Sequence, residues 1–160
     1  MAALQALCAF EAVGDEFEQQ LSEFLHDPVT WVDLGFERPP GDDLLAFARE
    51  LALRAWQQRE LLDRELARTA VHWSVARMTP VDRNILRLGL HELLEYPNTP
   101  PQVVINEAIE LARRFGDADS SAFVNGVLDA ARKRIMSETT TPGDVKPPAD
   151  QQTEGKNGAV

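Results

Sequence analysis

The sequence predicts an all-α protein. Apolar residues recur at three- and four-residue spacing along most of the chain, no convincing run alternates with period two, and proline and glycine separate the periodic stretches. With 160 residues, of which 44% are hydrophobic and 26% charged, the chain is expected to form one globular domain around a real core.

A first helix is expected over about 2–12, where Leu4, Leu7, Cys8 and Glu11 share a side, and Gly14-Asp15 interrupts it. Phe17, Leu21, Phe24 and Leu25 are spaced for burial on a second helix over 16–25. The stretch HDPVTWVDLGFERPPGDD, residues 26–43, holds three prolines and two glycines and reads as a loop or short turns. Asp42 or Asp43 is placed to cap the next helical region by accepting a bond from a free backbone N–H. That region runs to about Val71, with Leu44, Leu45, Ala48, Leu51, Ala52, Trp56, Leu62 and Leu66 inward and a break near Gln57-Gln58.

MTPVDRNILRLGLHELLEYP, residues 78–97, is the clearest helix. Thr79 is a good N-cap, Pro80 suits the first helical position, and Asp82 puts negative charge at the positive helix end. Val81, Ile85, Leu86, Leu88, Leu90, Leu93 and Leu94 cover most of its circumference, which predicts a central, buried element ending at Pro97. Pro100-Pro101 open another helix with Val104, Ile105, Ala108, Ile109, Ala112 and Phe115 inward, Asn106 and Glu107 bonded to a neighbouring loop, and Gly116 as its stop. Asp119 or Ser120 caps a final helix that fades near Met136. Residues 137–160 contain only Val145, Ala149, Ala159 and Val160 as hydrophobics, so a solvated, disordered tail is expected there.

Charge narrows the function. The net charge is −10, and residues 1–71 carry 14 acidic and 6 basic side chains, whereas 72–136 carry 8 of each. Nucleic-acid binders that act alone are usually basic, so this chain should favour a basic protein partner over naked nucleic acid. One cysteine suits a reducing cytoplasm, and no apolar run approaches a membrane span. His26, His72 and His91 are scattered, and no phosphate loop, GxSxG or HExxH motif occurs. Cys8 on an apolar helix side reads as a small core residue, and the three tryptophans as core or half-buried. No enzyme, cofactor or metal site is expected. A helix-turn-helix is disfavoured because the YPNTPP joint is long and the second helix carries Glu107 and Glu110.

The segment VDRNILRLGLHELLEYPNTPPQVVINEAIELARRFGDADSSAFVNGVLD, residues 81–129, resembles the NusB family of bacterial transcription antitermination factors. Asp82-Arg83, ILR at 85–87, HEL at 91–93, INEAIELA at 105–112 and FVNG at 123–126 match the family pattern in order and without a gap. ALQALCAFE at 3–11 resembles the family's first helix, so the likeness extends over about 2–134, more weakly between 12 and 70. The resemblance implies an all-α bundle of two packed helical subdomains. It also implies joint binding of boxA-type single-stranded RNA with ribosomal protein S10, within the RNA polymerase antitermination complex, to promote read-through in ribosomal RNA operons. Carried over by position, Cys8, Asp82 and Arg83 fall toward S10, and Asp119, Phe123, Asn125 and Gly126 toward RNA. The family's arginine-rich segment before the first helix has no counterpart in MAALQAL, which implies weaker RNA contact or a start placed too far downstream. A protein-only interaction module is the alternative. A third possibility, part of a ribosomal RNA methyltransferase, finds no cofactor domain in this sequence.

The pair Asn125-Gly126 leaves two readings open. Gly126 can admit a nucleotide or another backbone, Asn125 offers a donor and an acceptor, and Phe123 can stack on an unpaired base. Alternatively Gly126 permits tight helix packing, Phe123 fills the core, and Asn125 caps the helix or faces water.

Overall fold

The computed structural model describes residues 1–70 and 74–139. Eight α-helices follow one another: α1 (Ala2–Phe10), α2 (Phe17–His26), α3 (Pro28–Asp33), α4 (Asp42–Gln57), α5 (Arg59–Thr69), α6 (Pro80–Glu95), α7 (Pro101–Phe115) and α8 (Ser120–Thr139). Short 3₁₀ turns at Gly14–Glu16 and Val75–Arg77 complete the regular structure, and no strand occurs among the described residues.

Helix α6 is the axis of the fold, in contact with α1, α4, α5, α7 and α8. Its residues from Asn84 to His91 are all buried, because apolar side chains surround it on every side. Each fully buried leucine or isoleucine there contributes about 1.5–3 kcal/mol through water exclusion. Around this axis α1–α4 form one helical subdomain and α5–α8 the other. At Gly89 an added Cβ would stand 2.8 Å from Leu128 Cδ1, so α6 and α8 approach closely at this glycine.

Helix boundaries follow local chemistry. Thr79 Oγ1 accepts the Asp82 N–H at 3.1 Å with Pro80 in the first turn, and Gln58 separates α4 from α5 as expected. Several expectations need correction. The loop at 26–43 contains α3, because Asp27 accepts the Val29 N–H at 2.9 Å and Pro28 takes the first helical position. Two signals that read as breakers therefore act as a cap. Gly41, not Asp42 or Asp43, holds the cap position of α4, and the two acids lie in its first turn, where they complement the helix dipole. Leu44, expected inward, is exposed.

Asn106 accepts a bond from Gln102 at 3.1 Å on its own helix, and Glu107 is exposed, so neither serves the neighbouring loop as expected. Helix α8 continues to Thr139, past the expected end near Met136. The expectations for His72, Trp73 and residues 140–160 lie outside the described residues.

Aromatic packing ties the first subdomain together. Phe17 stacks on Trp56 with centroids 4.6 Å apart, and the buried Trp31 donates its indole N–H to the Leu25 carbonyl at 2.8 Å. His91 faces Glu50 and Arg54 of α4, Gln58, Glu95 and Tyr96, and its Nδ1 lies 3.0 Å from Gln58 Oε1. Its Nε2 is buried without a partner among the described residues, and burial pushes the imidazole pKa down. A histidine held neutral in the folded state loses its stabilising effect as pH falls below about 6.5, where the unfolded chain takes up the proton first. Stability measured by urea unfolding is therefore expected to drop between pH 7.5 and 5. His91→Gln should flatten that slope; an unchanged slope would remove His91 as its source.

Candidate functional site

The N-terminal ends of α6 and α8 meet at the surface. Thr79 and Pro80 start α6, while the Asp117 N–H donates to Ser120 Oγ at 2.9 Å and closes the turn before α8. Between the two starts lies a cleft of about 240 Å³, walled by Arg77, Met78, Thr79 and Asp82 on one side and by Asp117, Asp119, Ser120 and Phe123 on the other.

Asp82, Asp119 and Phe123 thus come together, although 37 residues separate the first acid from the second. Asp119 is exposed, and the half-buried Phe123 packs on the core while presenting part of its ring to the cleft. Asp82 is only 8% exposed, and its Oδ1 accepts no hydrogen bond among the described residues. Buried polar groups are nearly always paired, and this carboxylate oxygen, itself shielded from solvent beside the cleft, is an exception. Three carboxylates against Arg77 make the cleft acidic and set it against phosphates.

Cys8 and Arg83 lie behind this cleft, at the joint of α1 and α6. The Cys8 sulfur sits 3.7 Å from the Pro80 carbonyl and from Asn84 Nδ2, and burial pushes its pKa up, so it remains a thiol. Arg83 is turned into the structure. Its Nε and Nη2 donate to the two oxygens of Glu11 at 3.1 and 2.9 Å, and its Nη1 donates to the Met78 carbonyl at 3.2 Å.

One helix turn on, Arg87 grips Asp63 of α5 in a two-pronged contact, with Nε and Nη2 both at 2.7 Å. Its Nη1 reaches Glu11 at 2.8 Å and Asn84 at 3.0 Å. Burial opposes ionisation of Glu11, but the bonds and charges of Arg83 and Arg87 outweigh it and hold the carboxyl below its usual range. This support was missed in the sequence. Its one signal is Arg87 itself, a charge inside a helix expected to be buried all round, which requires partners.

Asn125 and Gly126 are not part of the cleft wall. Both are exposed, and a Cβ built on Gly126 would have no neighbour within 4 Å. Tight packing against another helix therefore does not explain this glycine.

The NusB family model matches residues 1–133. The chain belongs to the NusB family. The transcription antitermination protein NusB of Desulfitobacterium hafniense is 42% identical over 127 residues, covering 79% of this chain and 80% of that one. Among solved structures, the NusB of T. maritima superposes with a TM-score of 0.68 at 34% identity, over 82% of this chain and 86% of its own. A crystal structure of antitermination factors NusB and NusE in complex with double-stranded RNA superposes with a TM-score of 0.67 at 26% identity, over 83% of this chain and 92% of that one. The all-α bundle expected from the sequence is the NusB fold.

Because Gly126 sits in open space within a regular helix, Gly126→Ala is expected to stabilise the protein by about 0.5–1 kcal/mol in urea unfolding. A loss of stability would show that this NusB residue has a packing role.

Proposed function

We propose that this chain is a transcription antitermination factor that binds ribosomal protein S10 and, with it, boxA-type single-stranded RNA, promoting read-through in ribosomal RNA operons. The observation that carries the reading is the surface cleft in which a buried, unpaired Asp82 oxygen adjoins Asp119 and Phe123. Its support is the solved complex of a NusB with NusE, which is ribosomal protein S10, and RNA.

Cys8, Asp82 and Arg83 serve the S10 side in this reading. Asp82 accepts a donor from the basic partner, while Arg83 holds Glu11 and the start of α6 in place behind it. Asp119, Phe123, Asn125 and Gly126 serve the RNA side. An acidic cleft repels phosphates, so RNA would approach Phe123 with its base faces, and Asn125 and Gly126 would meet the strand further along α8. A body with net charge −10 gains RNA affinity chiefly from the cations its partner brings. The role is regulatory and not enzymatic, in keeping with relatives that are antitermination proteins. We place it in the cytoplasm, with nascent transcripts; among the described residues no helix is long and apolar enough to cross a membrane.

The acidity of the cleft favours one second reading, a module that binds S10 without RNA. Calorimetric titration with S10 is expected to give a 1:1 complex, weakened at least tenfold by Asp82→Asn. Retention of boxA RNA is expected only with S10 present, and Phe123→Ala should cost about 1–3 kcal/mol of it. Failure of folded wild-type protein to bind S10 contradicts the proposal, whereas S10 binding with no RNA retention selects the second reading.

A further inference from the structure

A second surface lies toward the other end of α6. The positions Leu44, Phe47 and Leu51 form a stripe along α4, and Leu44 and Phe47 are 46% and 44% exposed. With Trp31 and Phe36 they line a hollow of about 130 Å³ whose wall is almost wholly apolar. Met1, Ala3, Phe47 and Leu51 also line a second hollow of about 170 Å³, which passes between α6 and α7 along Leu88, Val104 and Leu111. The two hollows share these four wall residues and lie side by side at the start of α1, one reaching α3 and α4 and the other α6 and α7; together they make the trough. It meets α6 from Ile85 to Glu92, three to ten positions beyond Asp82, and shares no lining residue with the cleft at the helix start.

Both ends of this trough are acidic. Asp42 and Asp43 directly precede Leu44, and the segment 27–47 carries five acids against Arg38 alone. At the far end Glu92 and Glu107 line the wall, and burial followed by the charge of Glu107 pushes the Glu92 pKa up. None of Asp42, Asp43, Glu92 and Glu107 forms a side-chain ion pair among the described residues.

We propose that this trough docks a cationic amphipathic segment of a protein partner, one that presents bulky apolar side chains between flanking lysines or arginines. Apolar walls bury the side chains, and the acids at each end select positive flanks. A nucleic acid would bring phosphates against these carboxylates. A second copy would set two acidic rims against each other, each on a chain of net charge −10. The surface is separate from the cleft at the start of α6, so it is independent of the S10 reading.

The test is a titration of isotope-labelled full-length protein, saturated with S10, by a synthetic 18-residue peptide of leucine and lysine in helical register. The control peptide carries glutamate in place of lysine. Amide shifts are expected at the trough around Phe47, Leu51 and Gly89, with no response to the control. Leu44→Ser and Phe47→Ser, both at exposed positions that the fold tolerates, should each weaken the peptide at least fivefold. Glu92→Gln combined with Glu107→Gln should weaken it about threefold. Shifts confined to other surfaces, equal affinity in all variants, or trough shifts that appear without S10 but are lost in the S10-saturated protein would overturn the proposal. So would trough shifts that appear with protein concentration alone, which would assign it to a second copy. Changes there on truncation after Thr139 would assign it to the chain's own terminus and equally overturn the proposal.

Discussion

A single arginine sets the geometry on which the site depends. Arg87 is 5% exposed, yet its guanidinium is satisfied on three sides by Asp63, Glu11 and Asn84. These partners come from α5, from the end of α1 and from α6 itself, so one planar group fixes three segments at once. Arg83 repeats the contact with Glu11 one turn earlier. Two positive and two negative charges then balance, with Arg87 buried and Arg83, Glu11 and Asp63 half-buried around it, which a buried charge requires. A network of this kind is weak evidence for stability but strong evidence for geometry, because removing one member strands the others.

The network also explains why the site sits where it does. Glu11 draws the end of α1 against the start of α6, placing Cys8 beside Pro80 and Asn84. Packing between α6 and α8 at Gly89 brings the two helices close enough for their starts to share a cleft. The core side of α6 thus does the structural work, while its first turn sets the buried Asp82 into the wall of the cleft. Stability and recognition occupy neighbouring turns of one helix.

Much of this was legible in the sequence, and the failures have physical causes. Proline at the first helical position, a threonine cap and regular apolar spacing are local signals, so α6 and α7 and the break at Gln58 could be read directly. Helix α3 was obscured because Asp-Pro marks a turn and a helix start equally well. Leu44 recurs at helical spacing with the buried Ala48 and Leu51 of α4 yet is exposed among the described residues, because spacing alone does not say which end of a stripe is covered. For the site, family motifs led to Asp82, Asp119 and Phe123, and their meeting in one cleft is a tertiary fact. Arg77, Asp117 and Ser120 could not have been added to that cleft from spacing. Nor could the pairing of Arg87 with Glu11, 76 residues away, be found by a rule that sends charged residues to the surface.

The most direct test of the account is urea unfolding of Arg87→Ala, combined with amide hydrogen exchange. A loss of about 3–5 kcal/mol is expected, since Glu11 and Asp63 would keep their charges without their partner, and protection should fall first at the end of α1 and in α5. A loss below about 1 kcal/mol, with protection of α1 and α5 unchanged, would contradict the claim that this arginine holds the fold and its cleft in place.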